Sequence, residues 1–169
     1  DKTYPLLHVD DLLIKGSHNV ANALAAAAVA NVMGVPSASI IEGLASFEPL
    51  EHRIEPCGTV AGVACFNDSK ATNVDATLKA LTAFGAKKPI VLLGGYDKGT
   101  DLGELVHAAN TSAQAVVCFG DAGTRFVGAF AASDIPVYEA ETLESALDRA
   151  LTHAKTGDIV VLSPACASF

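Results

Sequence analysis

Basic residues are scarce in this chain. Its 169 residues hold 11 Lys and Arg against 19 Asp and Glu, a formal net charge of −8. A nucleic-acid footprint needs clustered Lys and Arg, so this balance argues for no nucleic-acid partner. Acidity still leaves room for a phosphate site, because a few local cations and backbone N–H groups suffice. Long apolar runs are missing too. The longest strictly apolar block, Ala23 to Ala30, is too short and too alanine-rich to span a bilayer, and no membrane partner is expected. The four cysteines, Cys57, Cys65, Cys118 and Cys166, form no Cys-x-x-Cys pair and no zinc spacing. Cys65 and Cys118 lie in apolar strand-like runs and read as buried free thiols, a usage that fits a cytoplasmic location. No signal peptide is visible, but the chain begins at Asp1 without a Met, so its natural start is expected upstream.

What is present is core-forming material. Half the residues are hydrophobic and only 18% are charged, which fits one compact domain, or one domain with a piece of another. Leu12 to Ile14 reads as a strand end before the Gly16-Ser17 turn. An alanine-rich helix is expected from about His18 to Met33, stopped by Gly34, and a second from Ser37 to about Phe47. Pro49 interrupts the pattern and marks a domain boundary, dividing residues 1–50 from 51–169.

Beyond it, Ile54 to Val60 and Val63 to Phe66 read as strands around a turn at Ala61-Gly62. Strands are then expected at Ile90 to Leu93, Ala115 to Phe119, Pro136 to Tyr138 and Ile159 to Leu162. Helices are expected at Val74 to Phe84, Leu102 to Ala109, Ala122 to Ala131 and Leu143 to Ala154. Repeated strand–helix units with wholly apolar strands predict an α/β, Rossmann-like fold: a mostly parallel sheet with helices on both faces. No Gly-x-Gly-x-x-Gly opens any of these helices, which disfavours a dinucleotide site.

The unusual residues fall where strands end. Asn67-Asp68-Ser69-Lys70-Ala71-Thr72-Asn73 follows the strand ending at Phe66, with Asn73 placed to cap the next helix. Gly94-Gly95-Tyr96-Asp97-Lys98-Gly99 follows Leu93, and Ser163-Pro164-Ala165-Cys166-Ala167-Ser168 follows Leu162. In a parallel sheet the carboxyl ends of the strands share one edge, where binding crevices form. Taken singly, each loop has a plain reading: a polar cap, a solvated turn lysine, an acid favoured by a helix dipole. Three on one edge are harder to explain that way. Lys70 and Lys98 suit a carboxylate or phosphate, Thr72 and Ser168 add orienting hydroxyls, and Asp68 can accept ribose hydroxyls or hold a metal. The loop after Phe119, Gly120-Asp121-Ala122-Gly123, lacks a distinctive cation and reads as an ordinary start to a helix.

Upstream, Asn19 and Asn22 stand three apart in Gly16-Ser17-His18-Asn19-Val20-Ala21-Asn22, so they share a helix face. Each amide offers the donor and acceptor pair that an adenine edge matches, though each is equally readable as an exposed or capping Asn. His18 reads as a cap or packing residue. Arg53, in His52-Arg53, is either a phosphate contact or an ordinary surface arginine.

Together these motifs resemble the Mur ligases of peptidoglycan synthesis. The Gly-x-His-Asn and His-Arg elements are shared widely in that family. The septet with Lys70 and Thr72, and the Ser-Pro-Ala-Cys-Ala-Ser ending, resemble its D-glutamate-adding branch. The resemblance implies an ATP-dependent amide-forming ligase that joins D-glutamate to UDP-N-acetylmuramoyl-L-alanine through an acyl phosphate, with Mg2+ assisting. It implies that residues 1–50 are the helical tail of a central ATPase domain, and that 51–169 are most of a C-terminal amino-acid-binding domain. It assigns Lys70, Thr72, Lys98 and Ser168 to D-glutamate, Asn19 and Asn22 to adenine, and Arg53 and Asp68 to phosphate and ribose. No Gly-x-x-x-x-Gly-Lys-[Ser/Thr] loop is present, so the phosphate loop and the main metal ligands are expected upstream of Asp1, and this chain alone is expected to be inactive. A monomer is expected. The competing expectations are a sister ligase of the Mur or folylpolyglutamate type, and a non-catalytic ligand-binding module.

Overall fold

The computed structural model describes residues 5–14, 16–48 and 50–167. The chain divides into two compact units after Leu50. In the first, a 3-10 turn at Val9–Asp11 precedes helices α1 (Ser17–Val32) and α2 (Ser37–Ser46). Leu12 to Ile14, expected as a strand end, lies in no strand. The described part of this unit is helical and offers a short apolar run no sheet to join; Leu12 is instead buried as a packing residue. Gly34, at φ 81, lets the chain leave α1 in the left-handed region that glycine occupies cheaply.

The second unit is a six-stranded sheet in the order β1-β2-β6-β3-β4-β5. Its strands are β1 (Glu55–Val60), β2 (Val63–Asn67), β3 (Ile90–Gly94), β4 (Ala115–Phe119), β5 (Val137–Ala140) and β6 (Ile159–Leu162). β1 and β2 form an antiparallel hairpin, and every other pairing is parallel. Helices α3 (Val74–Leu81), α4 (Gly103–Ser112), α5 (Gly123–Ala129) and α6 (Leu143–His153) make the crossovers. β3 and β4 are buried along their whole length, as expected of central parallel strands covered on both faces.

Side chains alternate across the pleat and sort into two cores. Val91, Leu93, Val116, Cys118 and Val161 face one way and pack with residues of α3, α4 and α5, Leu105 and Phe126 among them. Ile90, Leu92, Val117, Phe119 and Val160 face the other way, against Ala146 and Ala150 of α6. Burial pushes the Cys118 thiol up to about 12, with Glu139 adding to the shift, so this cysteine is an inert core residue.

Helix ends follow local chemistry more than periodicity. The Asn73 side chain accepts from the Ala76 N–H at 2.9 Å and opens α3, which closes at Leu81, three residues short of Phe84. Thr142 and Ser145 satisfy each other's backbone N–H groups in a reciprocal capping box that starts α6. α4 runs on to Ser112, past the expected stop at Ala109, and α5 is shorter than Ala122 to Ala131.

Candidate functional site

Because β6 is inserted between β2 and β3, the loops that leave these three strands lie side by side at the carboxyl edge of the sheet. Direct bonds stitch them together. Ser163 Oγ donates to Asp68 Oδ2 at 2.9 Å, and the Ala165 N–H donates to the Ala71 carbonyl at 3.0 Å, which ties the loop after β6 to the septet. On the other flank, the Gly94 N–H donates to the Pro164 carbonyl at 3.0 Å and the Tyr96 N–H to the Ala167 carbonyl at 3.1 Å. The Ser163–Ala167 segment is therefore a bridge between the septet and the Gly-Gly loop.

That closeness dictates the glycines. A Cβ on Gly94 (φ 145) would sit 2.0 Å from the Phe119 carbonyl oxygen, and one on Gly95 (φ 135) 2.6 Å from that of Ala167. Both spacings are far inside van der Waals contact, so only glycine lets β3 lead into this turn.

Asp68 is the hub on the septet side. It is only 7% exposed. Its Oδ1 accepts from the Ile54 N–H at 3.2 Å while Oδ2 accepts from Ser163. Ser163 Oγ also lies 3.1 Å from Thr77 Oγ1, whose hydroxyl donates to the Ser163 carbonyl at 3.2 Å. Burial pushes the Asp68 carboxyl above the usual carboxylate range, against the pull of Ser163, the Ile54 N–H and the Arg53 charge.

Arg53 is exposed and sits between two residues in the left-handed region, His52 at φ 64 and Ile54 at φ 51. A β-branched residue there is a steric outlier, held in place by bonds to its neighbours. The His52 N–H donates to Glu55 Oε2 at 2.8 Å, Asn67 Nδ2 donates to His52 Nδ1 at 2.9 Å, and the Lys70 N–H donates to the His52 carbonyl at 3.1 Å. The segment that presents Arg53 is thus built onto the septet.

In the Gly-Gly loop, Asp97 takes two bonds from Arg125, from Nε at 2.6 Å and Nη2 at 2.7 Å. Arg125 Nη1 donates to the Thr100 carbonyl at 2.9 Å, and the Gly99 N–H donates to Asp97 Oδ1 at 2.9 Å. The Arg125 guanidinium holds the Asp97 carboxyl below the usual range. Sequence reading passed over Arg125, because the preceding Gly120-Asp121-Ala122-Gly123 carries no cation. One signal was there: a cation in the first turn of a helix opposes the helix dipole and so calls for an anionic partner.

Of the residues expected to bind ligand, Lys70 and Lys98 are exposed and Thr72 is half-buried, all three on loops at this edge. Burial, the largest effect, and the charge of Asp97 push the buried Cys166 thiol up, against the opposing charges of Arg125 and Lys98. Ser168 lies outside the described residues. In the first unit Asn19 and Asn22 both sit on α1; Asn19 is half-buried, and Asn22 is exposed at an apolar groove of about 430 Å³ between α1 and α2. No described helix is long and apolar enough to cross a membrane.

A family model, Mur ligase, glutamate ligase domain, matches residues 52–166. The chain is 42% identical over 164 residues to a UDP-N-acetylmuramoylalanine–D-glutamate ligase of Thiobacillus denitrificans, covering 97% of this chain and 35% of that protein. It is 43% identical over 164 residues to the enzyme of the same name in Solibacter usitatus, covering 97% of this chain and 37% of that protein. The chain thus spans about a third of the length of the curated relatives it matches. Among solved structures it resembles a UDP-N-acetylmuramate–alanine ligase of Thermotoga maritima, with TM-score 0.73 at 21% identity over 91% of this chain and 36% of that one. It also resembles a Mycobacterium tuberculosis folylpolyglutamate synthase complexed with ADP, with TM-score 0.71 at 19% identity over 92% of this chain and 39% of that one. At such identities the two structures speak for the fold. The matched span takes in both loops and the bridge as far as Cys166, and the chain belongs to the Mur ligase family through its glutamate ligase domain.

Proposed function

We propose that this chain, within a protein of its relatives' full length, supplies the amino-acid-binding domain of an ATP-dependent ligase. That ligase adds D-glutamate to UDP-N-acetylmuramoyl-L-alanine in the cytoplasm, during synthesis of the peptidoglycan precursor. The observation that carries the reading is the bridge at the sheet edge. It binds the loops bearing Thr72, Lys70 and Lys98 into one hydrogen-bonded rim.

The chemistry of the proposed reaction asks little of a protein nucleophile. ATP activates the terminal carboxylate of the uridine nucleotide as an acyl phosphate, the amine of D-glutamate attacks the carbonyl, and phosphate leaves as the amide forms. What the protein supplies is placement, charge neutralisation and exclusion of water. On this reading Lys98, with Lys70 assisting, neutralises the carboxylates of D-glutamate, and the Thr72 hydroxyl fixes their orientation; Ser168 belongs to the same set. Arg53 takes a phosphate of the nucleotide. Asp68 accepts a ribose hydroxyl with lone pairs left over from its internal bonds, since a carboxylate has about four acceptor positions. Asn19 and Asn22 face adenine.

Magnesium would accompany ATP. Among the described residues no group of three or more His, Cys, Asp or Glu converges to hold a metal. As a monomer the protein would bring D-glutamate to the acyl phosphate by domain closure. The proposal is tested with the full-length protein: ATP-dependent phosphate release in the presence of UDP-N-acetylmuramoyl-L-alanine and a panel of amino acids. Turnover with D-glutamate, and not with L-glutamate, L-alanine or a diamino acid, is expected. Preference for another amino acid would move the chain to a sister ligase, and no turnover with any would leave a binding module.

A further inference from the structure

We infer that Arg125 is a positioning residue for Lys98, acting through Asp97. Lys98 lies on a loop with three glycines among Gly94–Gly99, and its long side chain is exposed, so the place of its ammonium depends on how the loop backbone is held. Arg125 supplies that hold. Its fork grips both oxygens of Asp97 and its third nitrogen reaches the Thr100 carbonyl, while Asp97 turns one oxygen back onto the Gly99 N–H. The residues on either side of Lys98 are thereby anchored to α5, an element whose Phe126 is fully buried in the core beneath the sheet. On the opposite flank the Tyr96 N–H is held by Ala167. The Lys98 backbone is clamped from both sides and only its side chain is left to reach out.

An ion pair as exposed as this one, at 35% and 27% for its two side chains, adds little to global stability. Its value lies in local order. Only arginine can make the three bonds together, because a lysine ammonium cannot span both carboxylate oxygens and a carbonyl in one plane.

The inference rests on the proposed role of Lys98 toward the amino-acid carboxylate, and a double-mutant cycle in the full-length protein separates the two. Lys98→Ala, Arg125→Met and the double variant are assayed for KM toward D-glutamate, KM toward ATP and thermal midpoint. Arg125→Met is expected to raise KM for D-glutamate about tenfold, the scale of a misplaced binding group, with KM for ATP and the midpoint near those of the parent. The double variant is expected to be no worse than Lys98→Ala alone, and Arg125→Lys to recover part of the loss. If Lys98→Ala raises KM but Arg125→Met does not, or if the two effects multiply, the positioning role is overturned while the site assignment stands. If Lys98→Ala leaves KM unchanged, the site assignment falls and the positioning role with it.

Discussion

Ser163 Oγ donates to Asp68 Oδ2 at 2.9 Å across 95 positions of sequence, joining loops that leave neighbouring parallel strands. Both residues are buried, and the bond fixes the spacing between the septet and the bridge. Ser163→Ala removes the donor and leaves a buried carboxylate oxygen short of a partner. The expected cost is about 1–3 kcal/mol, read by denaturant unfolding. Ser163→Thr, which keeps the hydroxyl, should recover much of the bond energy at the expense of a crowded methyl.

The glycines of β3 offer a sharper contrast. Gly94→Ala drives a Cβ to 2.0 Å from the Phe119 carbonyl oxygen, a contact that backbone on both sides must yield to relieve. It should destabilise by at least about 3 kcal/mol or abolish soluble expression. Gly99→Ala meets nothing within 4 Å and carries only the penalty of its φ of +67. Its cost should be about 1–2 kcal/mol. Equal losses at the two positions, measured by thermal unfolding, would show that close approach is not what selects glycine at Gly94.

Much of this architecture was legible because it is local. The apolar runs Ile90 to Leu93 and Ala115 to Phe119, the cap at Asn73 and the Gly-Gly turn each announce themselves within a few residues. What escaped reading is long-range. Nothing near Leu162 says that its strand slots between β2 and β3, and it is that insertion which turns three separate loops into one rim. The Arg125 clamp was hidden for the same reason, since its partner Asp97 lies 28 positions away. Leu12 to Ile14 failed differently: an apolar triplet reads alike whether it pairs in a sheet or packs against helices, and only the surroundings decide.

Ligand contacts can be apportioned by kinetics. In the full-length protein Lys98→Ala should raise KM for D-glutamate about tenfold or more, the loss of one charge-assisted hydrogen bond, and leave KM for ATP unchanged. Asn22→Ala should do the reverse, weakening ATP while sparing D-glutamate. A uniform loss on both substrates at Lys98 would give it a general structural role, and unchanged nucleotide affinity at Asn22 would remove the adenine assignment.

Asp68 carries a pH signature. Burial raises its carboxyl in the folded chain above the value it has when unfolded. Below the unfolded value both states are protonated and the group is neutral toward folding. As pH rises from there through the raised folded value, the unfolded chain gives up its proton first, so stability is lost across that interval and the loss persists above it. Asp97 and Asp158 have the opposite sign, their carboxyls being lowered in the fold by Arg125 and by the Lys155 N–H respectively. The parent protein sums these effects, so the informative quantity is the difference between parent and Asp68→Asn. The asparagine keeps an acceptor for the Ile54 N–H and presents an amide that Ser163 Oγ can accept from, without a charge to bury. Relative to the parent, Asp68→Asn should therefore gain stability as pH climbs from below the carboxylate range to neutral, as read by urea midpoints at a series of pH values. A difference that stays flat over that interval would mean that Asp68 is ionised in the fold as readily as in the unfolded chain, with its three partners fully offsetting the cost of its burial.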